Sequence, residues 1–289
     1  MEEKTQFQLS SKYLKNLPNE IYSMVSLTSL AIPWNKITDI EKLCRSLVNL
    51  KTMNASNNLI KAIPPSISNI QSLTLLNLHN NRINKISPTL SALTNLKKLD
   101  LGLNRVPYGE VVVVMECTQV QDLTLCANGL RQIPETLEKM ANLKTLDISF
   151  NHLSKLPGLE ALKSLYLLNI NDNFFLTLDA LPPSVQELKA NYGQFTEFGT
   201  VDFKSLRKIS ISSNYIDDLS SDFYNQAEHL NYLDLSKNLI FCVPDDFRHL
   251  KNLSVLDLSR NNIELLPKCL GEYKFHTKNI KKKLIHLKL

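Results

Sequence analysis

Residues 252–267 read NLSVLDLSRNNIELLP, and the pattern of these residues predicts the fold. It has the form LxxLxLxxNxIxxLP, with apolar residues at fixed positions around Asn261. The apolar fourth and sixth positions alternate with polar ones, which is the period of a short β-strand. The asparagine follows, and its amide can satisfy backbone groups of a buried turn because it carries both donor and acceptor atoms. The stretch therefore predicts a strand that ends in a tight turn.

The same pattern recurs along nearly the whole chain. A degenerate copy begins near Lys4, and further copies follow at intervals of 20 to 24 residues, at Leu27, Leu50, Leu73, Leu96, Val120, Leu143, Leu165, Val185, Leu206, Leu230 and Leu253. This pattern and period resemble those of the leucine-rich-repeat family. The resemblance implies an α/β solenoid, a horseshoe with a parallel concave β-sheet and short helical or irregular convex segments. We expect one domain of about twelve repeats over residues 1–270.

The resemblance also implies a ladder of stacked asparagines, one from each coil. Gly193 interrupts it, and Lys12 holds the corresponding position of the first coil. The predicted rungs are Asn35, Asn58, Asn81, Asn104, Asn128, Asn151, Asn173, Asn214, Asn238 and Asn261.

Two segments depart from the regular pattern. Val111 to Val114 are four consecutive β-branched residues, which favours an extended convex segment in place of a helical turn. Residues 271–289 are either a basic C-terminal tail or the start of a truncated repeat, because Leu284, Leu287 and Leu289 again spell LxxLxL.

The net charge of +5 is concentrated at the C-terminal end of the chain. Residues 268–289 carry seven Lys and one Glu, so the repeats themselves are almost neutral. We therefore expect no nucleic-acid partner for the folded body. The tail is interpreted as solvated, with binding to anionic lipid or nucleic acid as the alternative.

The sequence lacks the motifs of catalysis and of metal or cofactor binding. It contains no phosphate-binding glycine loop, HExxH, CxxC or GxSxG, and His79 and His152 are three coils apart. Asp234 and Asp257 share an exposed column, but LDLS is a usual filling of such a strand. We predict no enzyme activity, cofactor or metal site.

The five scattered Cys indicate reduced thiols, and the first ten residues lack the apolar region of a secretory signal. No run of apolar residues is long enough to span a membrane. A cytoplasmic protein, monomeric on its own, is the expectation.

The remaining functional signal in the sequence is a predicted exposed surface beside the ladder asparagines. The residue before each ladder asparagine forms an exposed column with several large apolar members, and basic residues follow the asparagines in the first half. Aromatic and Arg side chains on an open surface are typical of protein-binding hot spots. The protein-binding hypothesis comprises Trp34, Arg82, Leu103, Arg105, Phe150 and Tyr192.

The resulting prediction is a scaffold or adaptor of intracellular signalling that holds a partner protein on its concave face. Leu-Pro and Ile-Pro steps such as Ile63-Pro64 and Ile133-Pro134 resemble those of Ras-group leucine-rich-repeat scaffolds, which implies a Ras-type small GTPase or a protein phosphatase as partner. The alternative is the regulatory repeat region of a larger signalling enzyme, a type 2C phosphatase, kinase or cyclase, with its catalytic domain outside this chain.

Overall fold

The computed structural model describes residues 5–179, 181–199 and 201–264. The chain divides into two compact units, Met1–Asn151 and His152–Leu289, which we call the first and the second unit. The predicted tail, residues 271–289, lies outside the described residues, as does the Leu266-Pro267 step at the end of residues 252–267. The prediction of a single domain over residues 1–270 stays a prediction.

The first unit is built on short parallel strands, one from each coil. Each central residue is opposite the central residue of the next strand, as in the register pairs Leu30 with Met53 and Leu76 with Leu99. These central side chains point into the core, whereas their neighbours in the strand stay partly exposed. The strands are Gln6–Gln8, Ser29–Ala31, Thr52–Asn54, Leu75–Asn77, Lys98–Asp100, Asp122–Thr124 and Thr145–Asp147.

The second unit repeats this arrangement. Its strands are also parallel, with Leu168 opposite Leu188 and Leu233 opposite Leu256. The strands are Leu167–Asn169, Glu187–Lys189, Lys208–Ser210, Tyr232–Asp234 and Val255–Asp257. The predicted solenoid of parallel strands, with one strand in each coil, is therefore confirmed within each unit.

The segments that return from one strand to the next in the first unit are short helices. A proline precedes or begins several of them, because its fixed φ suits the first turn and its missing N–H has no partner to lose there. The α-helices are Asn19–Tyr22, Glu41–Ser46 and Tyr108–Met115, and the 3-10 helices are Pro65–Asn69, Pro88–Ala92 and Glu135–Lys139. A second small sheet pairs Ala62–Ile63 with Lys85–Ile86.

The prediction of an extended segment at Val111 to Val114 is wrong, because these residues lie in the helix Tyr108–Met115. Pro107 precedes this helix, and Val111, Val114 and Met115 are fully buried. The helix penalty of a β-branched residue is below about 1 kcal/mol, whereas burying a Val side chain contributes roughly 1.5 kcal/mol or more. Burial therefore outweighs the local preference.

The return segments of the second unit differ in length. The helix Ser221–Gln226 begins after Ser220, whose hydroxyl accepts the Phe223 N–H at 3.3 Å, and Asp245–His249 is a 3-10 helix. By contrast, no helix or strand is found between Leu167–Asn169 and Lys208–Ser210 other than the strand Glu187–Lys189, in the residues that the structure describes there. These short coils keep the three-residue strand register of the longer ones.

The side-chain amides of the ladder asparagines form hydrogen bonds within their own coil and to the preceding one. Asn58 is representative: its Nδ2 donates to the Ile32 carbonyl at 3.0 Å and to the Ala55 carbonyl at 3.1 Å, and its Oδ1 accepts the Ile37 N–H at 3.0 Å. One amide thus joins its own coil to the preceding one. All ten predicted asparagines accept a backbone N–H from the preceding coil in this way.

Candidate functional site

The residue before each ladder asparagine adopts the left-handed conformation, with φ between 51° and 61°. We call these residues the turn column. They are Ser11 (before Lys12) and, before the asparagines or Gly193, Trp34, Asn57, Asn80, Leu103, Ala127, Phe150, Asp172, Tyr192, Ser213, Lys237 and Arg260. Left-handed φ costs an L-residue roughly 1–2 kcal/mol, and only Gly, Asn and Asp adopt it readily.

Hydrogen bonds between coils hold the turn column in this conformation. The Trp34 N–H donates to the Ser56 carbonyl at 3.1 Å, and the Leu103 N–H donates to the Cys126 carbonyl at 2.8 Å. The chain reverses away from the strand at this point, so the side chain projects outward. The repeat register predicts that the column is exposed but does not predict its left-handed backbone, for which Asn57, Asn80 and Asp172 were the available signal.

Four of the six predicted binding residues belong to the turn column and are large, apolar and exposed. The exposed fractions are 61% for Trp34, 47% for Leu103, 56% for Phe150 and 57% for Tyr192. Trp34, Leu103 and Phe150 lie in the first unit, and Tyr192 lies in the second, where Lys237 Nζ is 6.0 Å from its ring centroid.

The first-unit members of this set are aligned but do not touch. Trp34 and Leu103 are three coils apart, roughly 14 Å at the spacing of neighbouring strands, and Leu103 and Phe150 are two coils apart, roughly 10 Å. The three side chains are therefore separate apolar positions in the turn column of the first unit.

The other two predicted residues, Arg82 and Arg105, follow the ladder asparagines. Their N–H groups donate to Ile60 and Ile83 carbonyls at 2.9 and 3.0 Å, which puts the two arginines in register on adjacent coils. Both side chains are exposed. Lys36 occupies the same position nearer the N-terminus, and its Nζ lies 5.4 Å from the centroid of the Tyr13 ring.

Several of the equivalent positions of the second unit hold large apolar residues, which are not among the six predicted binding residues. Phe174, Tyr215 and Leu239 are exposed by 46%, 56% and 45%. The imidazole of His152 stacks on Phe174 with ring centroids 5.5 Å apart. These residues could have been identified from the sequence, because each directly follows a ladder asparagine.

The paired carboxylates Asp234 and Asp257 have a structural role. Oδ1 of Asp234 accepts the Ser236 N–H at 3.0 Å, and Oδ1 of Asp257 accepts the Ser259 N–H at 3.0 Å. Each carboxylate thereby fixes the chain as it leaves its strand. Burial, and then the nearby charges of Asp234 and Asp257, raise the pKa of Tyr232.

Further chemical features of the described residues are few. No three His, Cys, Asp or Glu side chains there are placed to hold a metal ion. Cys44, Cys117, Cys126 and Cys242 are free thiols, and burial raises the pKa of Cys44 and of Cys117 to about 12. Among the helices that the structure describes, none has the length and apolar character needed to cross a membrane.

Comparison with sequence families and curated proteins gives a partial match. A family model described as leucine rich repeat matches residues 204–263, and a second of the same description matches residues 72–93 and 142–162. The search of curated proteins found no match.

Solved structures similar to this chain include proteins from bacteria and plants. A leucine-rich-repeat protein of Leptospira interrogans is 26% identical with a TM-score of 0.76, covering 92% of this chain and 74% of its own. An internalin of Listeria monocytogenes is 20% identical with a TM-score of 0.75, covering 91% of this chain and 79% of its own. A plant peptide hormone receptor, in complex with RGF2, is 23% identical with a TM-score of 0.66; the match covers 91% of this chain and 44% of the receptor. The two matches below 25% identity show a shared fold alone.

Proposed function

Because the chain is a leucine-rich-repeat protein, we propose that it is a non-enzymatic adaptor that binds a partner protein through the turn column of its first unit. Trp34, Leu103 and Phe150 supply the apolar contacts, and Arg82 and Arg105 border them. In the second unit, Tyr192 is a further contact residue of the same kind. The partner approaches the sheet face, which is the predicted concave face.

The observation that carries this proposal is the presence of bulky apolar side chains at exposed left-handed positions. Such a residue costs stability through its backbone and recovers little through burial, because about half or more of its surface remains in water. Asn or Gly would be cheaper at each of these positions. A partner that covers the side chain supplies the missing burial, as the anchors of protein interfaces do.

Within this proposal the partner is an intracellular signalling protein, a Ras-type small GTPase or a protein phosphatase, and the adaptor acts in the cytoplasm. The support is the resemblance of the repeats to Ras-group scaffolds, with their Ile63-Pro64 and Ile133-Pro134 steps. The four described free thiols agree with a reducing compartment.

The test is affinity capture from the native cells, with the protein tagged at its N-terminus and partners identified by mass spectrometry. The variant Trp34→Ala/Leu103→Ala/Phe150→Ala is expected to lose its main partner, by about tenfold or more, since hot-spot truncations cost about 2 kcal/mol each. Its thermal unfolding should remain close to that of the unmodified protein because these side chains are exposed.

The matched control is Val25→Ala/Val48→Ala, which removes two apolar side chains that are 57% and 40% exposed in the first unit but outside the turn column. Capture should survive in this control. If the triple variant keeps both its folding and its partners, the turn column is not the binding surface.

A further inference from the structure

One lateral edge of the first unit carries a row of basic side chains. We call this row the cationic edge; it follows the ladder asparagines and consists of Lys36, Lys61, Arg82, Lys85, Arg105 and Arg131. All six side chains are exposed, and none forms an ion pair within the part of the chain that the structure describes. The carboxylates of the same segments include Asp39, Glu41 and Glu110. Glu41 pairs with Arg45 at 2.6 Å, and Glu110 accepts the Ile86 N–H at 2.7 Å.

The backbone register places several of these like charges on adjacent coils. Arg82 and Arg105 are on adjacent coils, and Lys85 lies opposite Ala62, next to Lys61, in the small second sheet. Like charges on neighbouring strands repel one another and destabilise the free protein. Directly after the ladder asparagines, Lys36, Arg82 and Arg105 are basic in the first unit, whereas Phe174, Tyr215 and Leu239 hold this position in the second unit.

A surface cleft of about 620 Å³ opens in the cationic edge between Arg105 and Arg131. Gly129 stands where the neighbouring coil has Arg105; its φ is +73°, and no atom lies within 4 Å of the place where a Cβ would be. Val106 and Leu130 form the apolar base, and the lining also includes Pro107, Tyr108, Asn128 and Gln132.

We propose that the partner presents an acidic segment to the cationic edge and that one of its carboxylate side chains enters the cleft between Arg105 and Arg131. This inference rests on the proposed function, because it names the charge of the partner that the turn column binds. A guanidinium group holds a carboxylate through two parallel hydrogen bonds, and charge-assisted bonds of this kind are the stronger ones. An acidic segment would also relieve the repulsion along the edge.

The test uses the full chain and a fluorescein-labelled oligoglutamate peptide, with binding measured by fluorescence anisotropy. The double variant Arg105→Gln/Arg131→Gln is expected to weaken peptide binding about tenfold or more, since two charge-assisted contacts are lost. Binding to the unmodified protein should weaken as the salt concentration rises. The matched control is Lys51→Gln/Lys144→Gln, which removes the same charge from two exposed residues just before the strands of the same unit; it should change affinity less than about twofold.

Three results would overturn the inference: no peptide binding, an equal loss in both double variants, or tighter binding of a single-stranded oligothymidylate that also depends on Arg105 and Arg131. Partner capture separates this inference from the proposed function. If Trp34→Ala/Leu103→Ala/Phe150→Ala loses the partner and Arg105→Gln/Arg131→Gln keeps it, the acidic segment is refuted while the adaptor function stands. Retention in both variants refutes the two together.

Discussion

Asn214 Oδ1 lies 2.8 Å from the point where a Cβ on Gly193 would stand, and the same oxygen accepts the Phe195 N–H at 3.1 Å. Gly193 holds the ladder position of its coil, so the amide of the next rung uses the space that a side chain would fill. Gly193→Ala should push Asn214 away from Phe195. We expect a loss of about 1 kcal/mol in the free energy of unfolding by urea, after allowing for the usual gain from reduced flexibility of the unfolded chain.

Gly109→Ala is the control for that prediction. Gly109 lies in the helix Tyr108–Met115, and no atom is within 4 Å of its virtual Cβ. The substitution should raise the free energy of unfolding by about 0.5–1 kcal/mol. Equal effects of the two substitutions would mean that the contact with Asn214 is unimportant.

Replacing Leu103 by Asn should stabilise the protein, because Asn tolerates the left-handed backbone better than Leu. Leu103 has φ 52° and is 47% exposed, so little burial is lost. Asn80 Nδ2 already donates to Asn57 Oδ1 at 2.7 Å in the same column, and a third amide can extend this pair. We expect a gain of about 0.5–1 kcal/mol by urea unfolding. Leu103→Ala is the control, and an Asn variant less stable than the Ala variant would contradict the prediction.

Removing one rung of the ladder should be costly. Asn81→Ala takes away the acceptor of the Ile60 N–H and the donor to the Ala55 and Leu78 carbonyls, at 3.0, 3.0 and 2.9 Å. These groups are buried, so we expect a loss of about 3 kcal/mol in the free energy of unfolding. Asn95→Ala removes a single exposed bond to the Gln71 carbonyl and should cost less than about 1 kcal/mol. Equal losses of unfolding free energy in Asn81→Ala and Asn95→Ala would show that a ladder asparagine stabilises the protein no more than an exposed one.

Three of the described thiols, those of Cys44, Cys117 and Cys126, should be slow to alkylate in the native state. Burial raises the pKa of Cys126 to about 11, and that of Cys44 and Cys117 to about 12. At pH 8 the thiolate fraction of Cys126 is therefore about two hundredfold below that of a free thiol with pKa about 8.5. Peptide mapping after brief iodoacetamide treatment should find Cys126 weakly modified, and Cys44 and Cys117 modified only after unfolding. Rapid labelling of Cys44 in the folded protein would contradict its burial.

The same pKa values predict that stability falls at alkaline pH. Above about pH 8.5 the unfolded chain loses thiol protons that the native protein keeps, so each rise in pH favours unfolding. For Cys44 and Cys117 the effect grows until pH reaches about 12. The urea midpoint should therefore decrease between about pH 8.5 and pH 10, and less steeply in Cys44→Ala/Cys117→Ala. A midpoint that stays constant over this interval would refute the prediction.

The strands and the ladder were predictable because their residues repeat in type as well as position. In most coils the Leu at the fourth position is buried in the core. The Asn at the ninth position forms the hydrogen bonds that the backbone groups of the turn need. The helical conformation of Val111 was not predictable in this way. β-branched side chains favour a strand locally, but the packing of the coil favours a helix.

The candidate binding surface was predicted only as far as the register allowed. Register alone shows that Trp34, Leu103 and Phe150 are exposed in one column, and the structure agrees. It does not give the left-handed φ of Leu103, since Leu is an uncommon filling of that conformation. The cleft beside Gly129 is lined by residues of two adjacent coils, so it appears only when the coils are stacked.

The short coils of the second unit change how this fold can be altered. The coils that begin at Leu165 and Val185 are 20 and 21 residues long, yet their strands keep the same pairing, with Leu168 opposite Leu188 and Leu188 opposite Ile209. Residues can therefore be deleted from the back of a coil without moving the residues on its sheet face. The sequence of this fold can therefore change in two independent ways. Insertions and deletions change the back of a coil, and point substitutions change its sheet face. If the proposed function is right, binding specificity can be changed by substituting one turn-column residue at a time, while the length of each coil varies independently.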